Sequence, residues 1–156
     1  MNTLALDLGT KCGYACTCGA SGVWCLKPKS HESSGQRYVR FKAHLDAHTV
    51  FCTLKEVVYE EVKYHRGTDA GHVYGGLEAI LQAFCIDRLI EYRGIGVSTI
   101  QRAATGRGMA PKGKKKQMMF DAAVEKFKGI NVINEDHADA LWILHSATNQ
   151  AVLTKS

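Results

Sequence analysis

Asn2-Thr-Leu-Ala-Leu-Asp-Leu-Gly-Thr10 is the stretch on which the reading of this chain turns. Leu4, Ala5, Leu6 and Leu8 surround Asp7 with apolar neighbours, the pattern of a strand buried on both faces. A carboxylate in that setting is costly unless something compensates it, and a divalent cation is the usual compensation. Gly9 then turns the chain, and Gly13-Tyr-Ala-Cys-Thr-Cys18 reads as an antiparallel return strand.

Working outward, Gly22-Val-Trp-Cys-Leu26 offers a third antiparallel strand, and the polar run from Lys27 to Ser34, with Pro28, a loop. Tyr38, Phe41 and Leu45 mark an amphipathic helix over Gln36–Thr49. Glu56-Val-Val-Tyr-Glu60 is a β-branched strand that follows a helix, so it is expected parallel to the first. Tyr64 to Gly76 is polar and glycine-rich, ending in a helix entry. Leu77, Ile80, Leu81, Phe84, Leu89 and Ile90 then predict a long helix over 77–91 with a wide apolar stripe. Ile95–Ile100 is expected to be a strand, Thr105–Lys116 a basic loop, Gln117–Phe127 a helix and Ile130–Ile133 a short last strand. Asn134 or Glu135 caps a final helix carrying Ala138, Leu141, Trp142 and Leu144. Trp24 and Trp142 read as core. Three antiparallel strands followed by alternating helices and strands specify an α/β chain, a mixed sheet flanked by helices, in the ribonuclease-H-like order.

The 156 residues, 46% of them hydrophobic and only two of them proline, suit a single domain over 1–156. No apolar run approaches a membrane span and no signal-peptide layout opens the chain, so a soluble, cytoplasmic protein with no membrane partner is expected. The six cysteines lack paired CxxC knuckles and read as small buried thiols rather than a zinc site. The net charge of +5 is uneven: nine Lys/Arg fall between Arg93 and Lys128 against Asp121 and Glu125, leaving a faintly acidic remainder. One basic segment on such a body suggests a polyanionic partner.

The second carboxylate comes from Val58-Tyr-Glu-Glu-Val62, where strand alternation lets only one of Glu60 and Glu61 join Asp7. Neighbouring parallel strands bring Asp7 and Glu60 together at their C-terminal ends, where open α/β sheets place ligands. The last helix opens Asn134-Glu-Asp-His-Ala-Asp-Ala140, and Asp136 and Asp139, three apart, share one face while His137 points elsewhere. Acids at a helix start are also ordinary capping residues. The small alanines favour function, because they let this helix end pack close against the sheet. Four carboxylates converging on one sheet edge need cations, and an oxygen-only set suits Mg²⁺ or Mn²⁺. Two such ions about 4 Å apart serve phosphodiester cleavage, with the basic loop holding the phosphate backbone.

Through Leu6-Asp-Leu-Gly-Thr10, Tyr59-Glu-Glu-Val62, Gly106-Arg-Gly-Met-Ala-Pro-Lys112 and Asp136-His-Ala-Asp-Ala-Leu141, nearly the whole chain resembles RuvC-type Holliday-junction resolvases. The likeness is to the shorter branch found in bacteriophages and related to poxviral enzymes. The resemblance implies a crossover junction endodeoxyribonuclease acting on four-way junctions and other branched DNA, in the host cytoplasm if phage-encoded. It places the metal ligands, for two Mg²⁺ (or Mn²⁺) ions, on Asp7, Glu60, Asp136 and Asp139. It places the junction-contacting lysine on Lys112, with Arg107, Lys114, Lys115 and Lys116 as further DNA contacts. It also implies a symmetric homodimer joined through the 77–91 helix; burial of that helix's stripe in the core alone is an adequate alternative. A branch-migration motor partner and a cleavage-sequence preference are not carried over.

The opening strand and turn also begin the phosphate hairpin of actin-like and sugar-kinase ATPases, but that fold needs a duplicated domain pair and this chain has one copy. A structural DNA-binding protein accounts for the lysines and leaves Asp7 unexplained. A ribonuclease-H-like nuclease on flaps or RNA–DNA hybrids stays open. His65, His72 and Tyr74 are expected in an exposed polar loop, and Tyr64 or Tyr74 either stacks on an unpaired base or is partly buried.

Overall fold

The chain runs β1 Asn2–Asp7, β2 Lys11–Cys16, β3 Ser21–Cys25, α1 Gln36–Phe51, β4 Leu54–Glu61, α2 Thr68–Asp87, β5 Glu91–Gly96, α3 Val97–Thr105, α4 Lys115–Lys126 and α5 Glu135–Leu153. The structure, a computed structural model, describes residues 1–106 and 113–153. The strands form one mixed sheet in the order β3-β2-β1-β4-β5, with β1–β2 and β2–β3 antiparallel and β1–β4 and β4–β5 parallel. This is the expected ribonuclease-H-like architecture. Among the described residues, no helix is long and apolar enough to cross a membrane.

Alternation along the central strands decides which side chains reach the site. Leu4 and Leu6 of β1 and Val57 and Tyr59 of β4 enter a core with Phe41 and Leu45 of α1 and Leu77, Leu81 and Phe84 of α2. Ala5 and Val58 face the other way, into a core with Ile100 of α3, Met119 of α4 and Trp142 and Ile143 of α5. Asp7 and Glu60, each two residues further on, continue the Ala5/Val58 face and so lie on the α5 side. The parallel register pairs Leu6 with Tyr59, which brings Asp7 alongside Glu60 one residue later. Both tryptophans are core, as expected; the indole N–H of Trp142 donates to the Met119 carbonyl at 2.9 Å.

Two expected strands are corrected. Val97–Thr105, half of it read as β-branched strand, is helix α3, and β5 ends at Gly96. Ile100, Ala103 and Ala104 lie at helical spacing and pack on the α5-side core, and that tertiary burial outweighs local β-propensity. Ile130–Ile133 is not a strand: Ile133 is exposed, and its N–H bonds the His137 ring at 3.1 Å instead of a sheet neighbour. The helix expected over 77–91 instead spans Thr68–Asp87, starting inside the glycine-rich segment. Gly76 belongs there because a Cβ would lie 2.5 Å from the Tyr38 ring, so the glycine lets α1 and α2 approach. Cys18 and Cys25 are exposed, correcting the uniform reading of buried thiols; Cys12, Cys16, Cys52 and Cys85 are buried.

The tightest packing lies between β2 and the start of α5. A Cβ on Gly13 would sit 1.9 Å from the Asp136 carbonyl oxygen. Ala15 of β2 lies against Ala140 and Leu141, and Ala138 and Ala140 are fully buried. Small residues on both surfaces set this helix unusually close to the sheet. Gly13→Ala should therefore destabilise the fold by about 1–3 kcal/mol or more, because backbone rather than a movable side chain blocks the methyl. Gly75→Ala, exposed on α2 with open space at its Cβ position, should stabilise it by roughly 0.5–1 kcal/mol. Denaturant midpoints of the two variants test the pair; equal shifts would mean that the α5 contact is not the tight one.

Candidate active site

Asp7, Glu60 and Asp139 line one cavity of about 100 Å³ at the C-terminal edge of β1 and β4, together with Lys115, Lys116, Ile100, Met119 and Ile143. Each acid is delivered by a different element: the end of β1, the end of β4 and the second turn of α5. Glu61, exposed and turned to the opposite face, packs its stem over Gly94 and does not line the cavity. Asp136 is part-buried one helical turn before Asp139; its side chain is not among the cavity's lining groups, but its charge acts on Asp7, Asp139 and Lys116. A larger groove of about 560 Å³ lies between α3, α4 and α5, lined by alanines, Glu125, Lys126, Lys128, Trp142 and His145. It holds one acid, so the clustered carboxylates belong to the smaller cavity.

The electrostatics mark the carboxylates as mutually destabilised. Burial, and then the charges of Asp139, Glu60 and Asp136, push the Asp7 carboxyl well above the usual range. Asp139 is pushed up to about 7, chiefly by burial, with Lys116 opposing and Glu60 adding to the rise. Glu60 is raised by burial against the pull of Lys115 and Lys116. Burial works against the Lys116 ammonium, yet Asp139, Asp7 and Asp136 outweigh it and hold its pKa above the ordinary value. Its Nζ lies 4.0 Å from Asp139 Oδ2. An all-oxygen donor set in which burial disfavours every carboxylate charge fits a hard divalent cation, which would offset that penalty.

Three supporting groups hold these elements in place: the roles of Tyr74 and His137 leave no signal in the sequence, whereas Asn134 is one of the two caps it predicts. Of the alternatives open for Tyr74 the structure shows burial, on α2; its hydroxyl donates to the Glu60 carbonyl at 2.8 Å and accepts from the Val62 N–H at 3.2 Å, fixing the end of β4. Asn134 caps α5, its Oδ1 accepting the His137 N–H at 3.0 Å. His137 is buried away from the carboxylates: Nδ1 accepts the Ile133 N–H, which leaves Nε2–H to donate to Ser21 Oγ at 2.9 Å. Burial lowers its pKa, so it is a neutral tie between α5 and β3. Paired polar partners on both sides of a sequence-distant histidine are invisible to periodicity. His65 is exposed with its ring against Tyr74, and His72 and Tyr64 are exposed. Of the basic residues, Lys115 and Lys116 line the cavity and the exposed Lys114 caps α4. Arg107 and Lys112, with the rest of the Gly108–Pro111 motif, lie outside the described residues.

No protein-family model matches the sequence, and none of the curated proteins does. Solved structures do match. The Thermus thermophilus RuvC structure superposes with a TM-score of 0.76 at 19% identity, covering 99% of this chain and 97% of that one. The T. thermophilus RuvC in complex with a Holliday junction substrate matches with the same TM-score and identity, covering 99% and 96%. The fold is that of RuvC. Coverage of RuvC from end to end accounts for every layer described above, including the α5 helix that carries Asp136 and Asp139.

Removing one charge from the cluster gives a measurable consequence. A carboxyl whose native pKa is raised binds more protons folded than unfolded, so its contribution to stability is lost as pH climbs from the unfolded value near 3.8 to about 7. Without added divalent metal, Asp139→Asn should be more stable than the parent at pH 8, by on the order of a few kcal/mol. The gain should shrink as pH falls toward 4. Thermal melts across that range test this, and a variant less stable than the parent at pH 8 would sink it.

Proposed function

We propose that this protein is a metal-dependent structure-selective endodeoxyribonuclease that resolves four-way DNA junctions as a homodimer. The observation that carries the proposal is the convergence of Asp7, Glu60 and Asp139 in one cavity, on the RuvC fold, with Lys115 and Lys116 in the same wall. Acids alone would bind a cation and lysines alone would bind a phosphate; together they suit hydrolysis of a phosphodiester.

Asp7, Glu60 and Asp139, with Asp136 from the preceding turn of α5, would hold two Mg²⁺ ions, with Mn²⁺ able to substitute. When bound, the metals supply Lewis acidity for attack on phosphorus and for departure of the leaving oxygen. The chain's own residues do the rest. Lys115 and Lys116 set positive charge beside the carboxylates, where the phosphate of a bound strand meets them. Lys114 at the start of α4 extends that charge outward, with Arg107 and Lys112 as proposed continuations of the track. Ile100, Met119 and Ile143 give the cavity apolar walls, which keep the local dielectric low and strengthen each charge interaction. Tyr74 holds the end of β4, so that the Glu60 carboxylate meets Asp7 at fixed separation.

Symmetric cutting of opposed strands requires two sites at a defined distance, and hence two copies. Most of the apolar stripe of α2 is spent on the core through Leu77, Leu81 and Phe84. Among the described residues, apolar surface open to a partner remains on the α1–α2 face, where Val39 is 61% exposed beside Tyr38, Ala43 and Ile80. The dimer is therefore assigned to both helices rather than to α2 alone.

The decisive experiment is cleavage of an immobile four-way junction, with linear duplex, flap and RNA–DNA hybrid controls, with and without Mg²⁺. Paired nicks confined to the junction are the expected result. Equal cutting of flaps would make the protein a general debranching nuclease, and cutting of hybrids alone a ribonuclease. Asp7→Asn should lower cleavage by about a thousandfold or more while retaining junction binding. Replacing Lys114, Lys115 and Lys116 together by Ala should reduce the log–log salt slope of binding by about 2–3. An unchanged slope would move the phosphate track elsewhere.

A further inference from the structure

At the opposite end of the sheet from the carboxylates, three cysteines and a histidine come together. Cys16 ends β2, Cys18 lies on the turn to β3, His48 is in the last turn of α1 and Cys52 caps that helix. One donor atom from each lies within 4.8 Å of all the others. In sequence the pairs are Cys-x-Cys and His-x₃-Cys, about thirty residues apart, and neither resembles a CxxC knuckle. The fold joins them because α1 packs against Trp24 of the hairpin and ends where the chain enters β4, at the same end of the sheet as the end of β2 with β1 between them.

Each pair is built to converge. The Gly19 N–H bonds the Cys16 carbonyl at 3.0 Å and Gly19 takes φ +99°, so the chain doubles back tightly around Cys18. The Cys52 N–H bonds the His48 carbonyl at 3.1 Å, which fixes the second pair across one helical turn. Cys16 Sγ and Cys52 Sγ are 3.7 Å apart, and all six cysteines are free. Zinc–thiolate bonds near 2.3 Å give a tetrahedral S···S edge of about 3.8 Å. The fourth donor carries an independent sign. His48 is only 3% exposed, and its Nε2 is buried with no hydrogen-bond partner, an arrangement costly for a polar atom unless something occupies the space before it. The ring lies among the rings of Tyr14, Trp24 and Phe51, with centroids 6.4, 6.4 and 4.8 Å away.

We propose that Cys16, Cys18, Cys52 and His48 form a structural Zn²⁺ site of the Cys₃His type, which staples the β2–β3 turn to the C-terminal end of α1. Four protein donors close the coordination sphere and leave no open position, so the site stabilises rather than catalyses. Soft thiolates and an imidazole select zinc over Mg²⁺, which keeps this metal distinct from any bound by the all-oxygen cluster. Cys18, the exposed member, is the route by which the ion enters. The proposal is independent of the nuclease reading, since no residue is shared.

The test is metal analysis of the full-length protein purified from zinc-supplemented medium without chelator. One zinc per chain is expected, retained in Asp7→Asn and in Cys25→Ser, an exposed thiol outside the cluster, and lost in Cys18→Ser. Cys18→Ser alters only an exposed turn, so its far-UV circular dichroism should stay near that of the parent while its melting temperature falls. Co²⁺ added to the zinc-free protein should give the intense visible absorption of a tetrahedral thiolate site, weakened in Cys18→Ser and in His48→Gln. Zinc-free parent protein with no such cobalt spectrum would overturn the proposal, as would full zinc content in folded Cys18→Ser or a Cys16–Cys52 disulfide found by mass spectrometry.

Discussion

The close approach of the α5 N-terminus to β1 and β2 is the constraint on which the rest of the molecule depends. Gly13 has no side chain because the Asp136 carbonyl occupies that space, and Ala5, Ala15, Ala138 and Ala140 keep the surrounding interface thin. A normally spaced helix, one with ordinary side chains between it and the sheet, would leave Asp139 too far from Asp7 to share a cavity. The helix is also tied from its other side, through Asn134, the His137 ring and Ser21. Packing therefore sets the distance, and hydrogen bonds set the angle at which two acids are presented to the sheet edge.

That geometry works against stability. Burial raises Asp7, Glu60 and Asp139 above their ordinary pKa values, repulsion among the acids adds to the rise in Asp7 and Asp139, and the chain offsets part of the cost with Lys116 at 4.0 Å from Asp139. A purely structural sheet edge has no use for such a cluster, since apolar residues would fill the space at no electrostatic penalty. Local violation of the rules that stabilise the remainder is what a functional site looks like in physical terms. The lysines fit both states of the proposed reaction: without metal they shield the acids, and with metal and DNA bound they would turn to the phosphates.

Much of this was legible in the sequence because two periodicities carry it. Period two along β1 and β4 places Asp7 and Glu60 on one face and Glu61 on the other, and period 3.6 puts Asp136 and Asp139 on one side of a helix. The lost items share a different cause. Val97–Ile100 has strand-like composition, and burial of Ile100 with Met119 and Ile143 favours its place in α3. Tyr74 holds β4 through backbone groups, and backbone partners leave no pattern in the side-chain sequence. Asp136, at the expected spacing, sits one turn before Asp139 and its charge acts on Asp7, Asp139 and Lys116.

The cysteine cluster extends the same lesson to the other end of the sheet. Cys-x-Cys and His-x₃-Cys are each unremarkable, and they meet only because β3 and α1 fold back over β2 before the chain enters β4. β1 runs between the two groups: Leu4 pairs with Cys16 near the thiols, and Asp7 pairs with Gly13 beneath Asp136. Three residues of strand, about 10 Å, separate a cluster of soft donors from one of hard donors. The hairpin that β2 forms with β1 is the element both ends share, and its Gly13 is the seat of α5. Clamping that hairpin at the thiol end would limit its freedom to tilt away from α5, so a stabilising metal at one end would help hold the repelling acids in register at the other.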